Sequence, residues 1–129
     1  MAEEFPVRVS AGSLRADDAA GWTLPHAWTE RGILVEAQGT GAHLMHAAIA
    51  VCVLNDTYRE AGAMGVAVRG VMAAASGGFD EAWSSTGIGY TIEVDADPAD
   101  ADALLARVEE VAEIPRAIRA GADVRRVSP

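Results

Sequence analysis

The spacing of apolar residues in the first third of the chain predicts short β-strands. In "FPVRVSAG", Val7 and Val9 fall on one face of a strand, and "GILVEAQG" repeats the alternation with Ile33 and Val35. A period of two is typical of strands that bury one face. The intervening "SLRADDAAGWTLPHAWTERG" is rich in turn residues. We therefore expect two or three antiparallel strands in this part of the chain.

The most apolar segment, residues 42–61, predicts a long central helix. Glycine-containing stretches, "QGTG" and "GAMG", flank it as expected at helix ends. Residues 47–51 are apolar all round the helix, so we expect cover on most sides, from a sheet and from a second helix or a partner chain. At about 100° per residue, one stripe of this helix contains Met45, Ala48, Cys52, Asp56 and Arg59.

The second half of the chain predicts two further strands, a helix and a last strand. "GVAVRGVMAAAS" and "GIGYTIEVDA" are strand-like, and the latter has apolar residues at every second position from Ile88 to Val94. The next helix begins with Asp97 as N-cap and Pro98 as its first residue. We expect "PRAIRAG" to form a short turn and "DVRRV" a strand. This order predicts a single two-layer α+β domain over residues 1–129.

Composition and charge restrict the classes of partner. The net charge of -9 at pH 7 would repel the phosphates of nucleic acid. The longest apolar run has about half the length that a bilayer requires, and the acidic start "MAEEFPVRVS" does not resemble a signal peptide. A single cysteine fits a reducing compartment. We therefore expect a cytoplasmic protein with no nucleic-acid or membrane partner.

The only cysteine, Cys52, is the first candidate for chemistry. A cysteine acts as a nucleophile as its thiolate, whereas burial in the middle of a helix raises the thiol pKa. The local sequence therefore favours an inert core residue. His43 and His46 have a spacing found among metal ligands, but no further Cys or His completes a set. We accordingly predict no metal and no cofactor.

Two segments, "GTGAHLMHAAIAVCVLNDTYREAGAMGVAVRGVM" and "EIPRAIRAG", resemble the OsmC/Ohr family of hydroperoxide-reducing proteins. In that family a cysteine lies in the middle of an alanine-rich central helix, a position that falls on Cys52. The resemblance covers the chain from Ile33 to Val127. It implies an OsmC/Ohr-like two-layer fold, with antiparallel sheets around a long central helix, and an intertwined homodimer with sites at the subunit interface.

The second, resolving cysteine of the family precedes a proline. Here that position is Ile114, before Pro115. The resemblance therefore implies that an intramolecular disulfide cannot form and that any redox cycle at Cys52 depends on an external thiol.

Two further catalytic positions of the family also bear on the site. A glutamate at the start of the central helix falls on His43, or on Ala42 if the alignment shifts by one residue. An N-terminal arginine matches Arg8 or Arg15. A histidine beside a thiol can serve as a base or as a cationic partner.

Two functional hypotheses follow, and the sequence leaves open whether the protein is an enzyme; a third, a purely structural dimer partner, is disfavoured by the histidines and tryptophans. In the first, a divergent OsmC-like protein, peroxiredoxin-like in its role in oxidative stress, reduces a small hydrophobic hydroperoxide at a dimer-interface pocket through Cys52. In the second, the fold serves other small-molecule chemistry or binding, with His43 or His46 polarising the ligand and Cys52 only packing. The resemblance implies an apolar pocket near Cys52 across the dimer interface, for which we predict a lining of Trp22, Trp28, Met45, Phe79 and Trp83; the alternative is that these aromatic residues are ordinary core or loop anchors.

Overall fold

The computed structural model describes residues 3–129, which form five strands and three helices. The strands are β1 (Val7–Gly12), β2 (Trp22–Leu24), β3 (Ile33–Glu36), β4 (Val68–Phe79) and β5 (Ser85–Ala96). The helices are α1 (Gly41–Met64), α2 (Pro98–Val111) and α3 (Glu113–Ala120). Within these residues, no helix combines the length and the apolar character of a membrane span.

The five strands form one antiparallel sheet in the order β2-β3-β1-β4-β5. At its centre Val9 of β1 lies opposite Val35 of β3 on one side and opposite Ala73 of β4 on the other. All three of these side chains are buried. The prediction of two or three early antiparallel strands is therefore confirmed, as is that of two further strands, which the structure pairs as the long β4–β5 hairpin.

Helix α1 lies across the sheet and forms the core with it. Its first turn is capped by Thr40, whose side chain accepts a hydrogen bond from the His43 backbone N–H, and its last turn is closed by Gly65 in the left-handed region. Val53 and Leu54 are completely buried. The opposite face is open in the single chain, where Leu44 is 44 % exposed and Ala48 is also exposed.

The end of the chain departs from the prediction. Asp97 caps α2 as expected, but "PRAIRAG" belongs to the helix α3 and is not an isolated turn. Pro115 fits there because residues in the first helical turn need no intrahelical N–H partner. The predicted strand "DVRRV" is wrong, since it has no secondary structure. Its valines are exposed, Val124 at 91 %. The alternating pattern was not sufficient to form a strand, because the segment does not pair with an edge of the sheet.

Candidate functional site

Cys52 lies half-buried on the open side of α1, between two carboxylates. Its Sγ atom is 3.4 Å from Oε2 of Glu113 and 3.7 Å from Oδ2 of Asp56. Asp56 is four residues further along α1, so its side chain projects from the same face as Cys52. Glu113 comes from the start of α3, which packs beside α1. The thiol can therefore donate a hydrogen bond to either carboxylate.

Arg59 holds the two carboxylates together. Its Nη1 atom lies 2.7 Å from Oε1 of Glu113 and 3.2 Å from Oδ1 of Asp56. Asp56 is almost completely buried, whereas Glu113 and Arg59 are partly exposed. The thiol therefore lies in a cluster beside two acids and one cation, and Arg59 also pairs with a third acid, Glu60, at 3.0 Å. The predicted helical stripe through Cys52, Asp56 and Arg59 is confirmed by these contacts.

The cluster holds the thiol in its protonated form. Burial, followed by the charge of Asp56 and the hydrogen bond to Glu113, raises the pKa of Cys52 to about 11, against an opposing contribution from the Ile114 backbone. The hydrogen bond from Arg59 lowers the pKa of Glu113 to about 2. Burial raises the pKa of Asp56. Glu113 is thus the ionised acceptor of the thiol's hydrogen bond, while Asp56, whose pKa is raised, is the stronger base of the pair.

An open groove of about 460 Å³ surrounds Cys52. Ala48, Val51 and Ile114 give it an apolar wall, while Cys52 and the charged cluster form its polar part. A mostly apolar surface with a few convergent polar groups is the usual character of a site for small organic molecules.

The same cluster has donor types that a metal ion accepts. Cys52, Asp56 and Glu113 each offer one ligand atom, and these atoms lie within 4.8 Å of one another. Arg59 already supplies a positive charge to both carboxylates at hydrogen-bond distance. Arg59 also pairs with Glu60, with Nε to Oε2 at 3.0 Å, so this one cation is shared by three carboxylates.

The two predicted histidines lie away from Cys52. His43 is nine residues before Cys52, which on a helix means the opposite face and about 13 Å along the axis. Its Nδ1 atom is 2.6 Å from the Thr40 hydroxyl, and His46 Nδ1 donates to the Phe5 carbonyl at 2.7 Å. Both rings are buried. In the single chain neither histidine contacts the thiol, and a role for His43 or His46 at a dimer interface stays a prediction.

Neither candidate N-terminal arginine contacts Cys52 in the single chain. Arg8, exposed on β1, forms a bidentate pair with Glu36, with Nη2 to Oε1 at 2.8 Å. Arg15 pairs with Asp17 and donates to Thr23. The arginine of the cysteine cluster is Arg59. Its position on the same helical stripe as Cys52 was predicted, but it was not a candidate site residue.

The residues predicted to line a pocket do not border the groove around Cys52. Trp22 and Trp28 are 44 % and 49 % exposed, and Met45 is half-buried. Phe79 and Trp83 lie at the tip of the β4–β5 hairpin, with their ring centroids 5.5 Å apart. His46 stacks on Phe79 at 6.2 Å. Within one chain the cysteine cluster and the aromatic cluster of Phe79 and Trp83 are therefore separate, and the pocket across the dimer interface stays a prediction.

Glu113 is the residue of the cysteine cluster that the sequence analysis missed. It is 61 positions from Cys52, and no local spacing connects the two. The one available signal was its place directly before Ile114, the position that the resemblance assigns to the resolving cysteine of the family. A side chain next to that position is expected to lie near the helix that carries Cys52.

Comparison with known proteins supports the fold. No protein-family model matches the sequence, and no curated protein matches it either. Among solved structures, an OsmC-like hydroperoxide resistance protein from Jannaschia sp. CCS1 is similar at 16 % sequence identity and a TM-score of 0.56. The similarity covers 95 % of this chain and 91 % of that one. The resemblance found in the sequence is therefore confirmed at the level of structure, and the chain has an OsmC/Ohr-like α+β fold.

Proposed function

We propose that the protein reduces a small hydrophobic hydroperoxide at Cys52 and that an external thiol completes the cycle. One observation carries this proposal: Cys52 Sγ lies 3.4 Å from the Glu113 carboxylate, which lies 2.7 Å from Arg59. A nucleophile within reach of a base that a third group orients is the general arrangement of covalent catalysis. The similar solved structure, an OsmC-like hydroperoxide resistance protein, supports the same direction.

The first step converts the thiol to a sulfenic acid. The carboxylate pair of Asp56 and Glu113 takes the proton of Cys52 as the sulfur attacks one peroxide oxygen, and the O–O bond breaks. The proton then passes from this pair to the departing alkoxide, which leaves as an alcohol. The balance is one thiol and one hydroperoxide giving one sulfenic acid and one alcohol.

An external thiol restores Cys52 in two further steps. One thiol molecule condenses with the sulfenic acid to form a mixed disulfide and water. A second thiol molecule attacks that disulfide, which releases the oxidised reductant and regenerates Cys52. Two external thiols are consumed for each hydroperoxide because Ile114 stands where the family has its resolving cysteine.

The raised pKa of Cys52 makes the base necessary. With a pKa of about 11, the free thiolate is scarce at neutral pH, so transfer of the proton to the Asp56–Glu113 carboxylate pair accompanies attack. We further propose that the protein is a homodimer whose interface covers the open face of α1, which includes the exposed Leu44 and Ala48. That cover would enclose the groove around Cys52 and exclude water from it.

The test is hydroperoxide consumption by purified protein with cumene hydroperoxide and dithiothreitol. We expect Cys52→Ser to lose the activity while its circular dichroism stays unchanged, and Ala48→Ser, on the same helix face, to keep it. In the wild type, trapping with dimedone should label Cys52 as a sulfenic acid. Equal turnover by Cys52→Ser would overturn the proposal.

The role of Glu113 has its own test. Glu113→Gln should slow hydroperoxide reduction about tenfold or more, while the exposed Glu110→Gln should not. Alkylation of Cys52 by iodoacetamide should not slow in Glu113→Gln, because the carboxylate raises the thiol pKa. A parallel loss of both reactions would instead indicate that Glu113 only maintains the local structure.

A further inference from the structure

The tip of the β4–β5 hairpin is a fixed turn that presents an exposed tryptophan. The Oδ1 atom of Asp80 accepts hydrogen bonds from the backbone N–H groups of Ala82 and Ser84, both at 2.9 Å. The backbone of Asp80 bonds to Ser84 and Trp83 at 3.0 Å. Trp83 has a φ of 59°, which is uncommon for a residue other than glycine, and its side chain is 72 % exposed.

Aromatic rings continue from this tryptophan into the domain. The Trp83 ring lies 5.5 Å from Phe79, and Phe79 lies 5.6 Å from Phe5 in an edge-to-face arrangement. Phe79 also stacks on the buried ring of His46, and Phe5 packs edge-on against His43. The two histidines therefore support the aromatic cluster from inside, so its position is set by packing and not by the hairpin alone.

A cavity of about 230 Å³ opens between these rings and three carboxylates. Phe5, Phe79 and Trp83 form its aromatic walls, and Glu3, Asp80 and Glu81 form its acidic rim. Among residues 3–129, no arginine forms an ion pair with any of these three acids. The cavity thus combines aromatic rings with negative charge that no side chain in this part of the chain neutralises.

We infer that this cavity binds a small organic ammonium ion. The ring faces of tryptophan and phenylalanine attract weakly hydrated cations, and recognition of quaternary ammonium groups by aromatic cages is a well-established use of this attraction. The acidic rim adds a charge of the opposite sign at close range. The cavity is smaller than the sites that hold drug-sized ligands, which suits a trimethylammonium head group.

The chemistry of the walls excludes two other classes of ligand. An anion would meet three carboxylates and no cation. A bare divalent metal prefers a shell of oxygen ligands, whereas half of the lining residues here are hydrocarbon or indole rings and one oxygen of Asp80 already accepts two backbone hydrogen bonds. The inference is independent of the proposed chemistry at Cys52, which lies in a different groove.

The test is titration of the ¹⁵N-labelled protein with choline, followed by the indole N–H signals of its three tryptophans. We expect the Trp83 signal to shift and saturate, while the signals of Trp22 and Trp28 stay in place. The neutral isostere 3,3-dimethyl-1-butanol, which has a carbon atom in place of the nitrogen, should cause no saturable shift. Sodium chloride at matched concentration controls for ionic strength.

Calorimetric measurement of choline affinity in single-residue variants tests whether the ion binds in this cavity. Trp83→Asn removes the ring while keeping a residue that tolerates positive φ, and we expect it to weaken choline binding about tenfold or more. Glu81→Gln should weaken binding about threefold, while Trp28→Asn and Cys52→Ser should leave it unchanged. Equal binding of the neutral isostere, or unchanged binding by Trp83→Asn, would overturn the inference, as would the absence of saturable choline binding.

Discussion

The Sγ atom of Cys52 lies 3.4 Å from Oε2 of Glu113, although the two residues are 61 positions apart in the chain. This contact joins the central helix to the first turn of α3. A reactive cysteine usually lies beside a cation that lowers the thiol pKa. Here the nearest charged groups are carboxylates, which raise it. The only cation of the cluster, Arg59, acts on the acids. The thiol is therefore a poor free nucleophile with a base in contact.

The first prediction concerns the pH dependence of alkylation. Because the pKa of Cys52 is raised to about 11, the thiolate fraction at pH 7 is about 10⁻⁴ and rises about tenfold for each pH unit below the pKa. The rate of reaction with iodoacetamide, followed by mass spectrometry, should therefore increase with pH beyond pH 9. A plateau reached near pH 8 would show that the thiol is not stabilised in its protonated form.

The second prediction concerns Asp56, the charged group with the largest coulombic contribution to the raised pKa of Cys52. The Asp56 carboxylate raises the pKa of Cys52 more than either contribution from Glu113, so Asp56→Asn should lower that pKa and speed alkylation severalfold at pH 8. Asparagine has nearly the same shape, so the buried site should remain packed. The control is Asp102→Asn, which removes an exposed carboxylate from α2. Equal rates in the two variants would contradict the assignment.

Features that depend on residues close together in the chain could be predicted from the sequence, whereas contacts between distant residues could not. The central helix and the start of α2 are encoded locally, by glycine flanks in one case and by Asp97 and Pro98 in the other. Cys52, Asp56 and Arg59 lie on one helix, so periodicity alone placed them on one face. Glu113 could not be placed in this way, because its contact depends on how α3 packs against α1.

The error at Pro115 has an equally specific cause. Proline usually breaks a helix, but Pro115 occupies the first turn of α3, where a missing N–H costs little. Resemblance to the family assigns His43 to the cysteine site, whereas helical geometry places it on the opposite face of α1 from Cys52 of the same chain. Within one chain the His43 ring packs against Phe5, and its role at a dimer interface stays a prediction.

The third prediction tests the packing of α2 through two adjacent leucines. Leu104 is completely buried, whereas Leu105 is only partly buried. Leu104→Ala should lower the free energy of unfolding by about 2–5 kcal/mol, the cost of an unfilled cavity in a core. Leu105→Ala, which changes helix propensity by the same amount, should cost about 1 kcal/mol. Urea denaturation distinguishes them, and a larger loss for Leu105→Ala would mean that the helix is rotated.

The fourth prediction concerns the open face of α1. Sedimentation velocity at micromolar concentration should show a dimer, because this apolar face lacks cover within one chain. Leu44→Arg introduces a charge there and should shift the protein towards monomer. Val124→Arg makes the same kind of change at the exposed C-terminal segment, where the valine is 91 % exposed, and should not. A folded wild-type monomer would rule out the proposed homodimer.

The last prediction rebuilds the resolving step. Ile114 borders the same groove as Cys52, and its backbone lies close enough to influence the thiol pKa. A disulfide requires Cα atoms within about 7 Å, so Ile114→Cys should suffice for an intrachain disulfide with Cys52 after one equivalent of cumene hydroperoxide. The sulfenic acid formed on Cys52 condenses with the new thiol and releases water.

The addition of His43→Glu should bring no gain in the single chain, since that side chain lies on the far face of α1. The control is Ala120→Cys, at the other end of α3, which should not form the bond. Peptide mapping under non-reducing conditions identifies the linked residues. If Ile114→Cys gives only sulfinic acid or intermolecular dimers, α3 does not hold its first turn beside Cys52, and the contact between Cys52 and Glu113 fails with it.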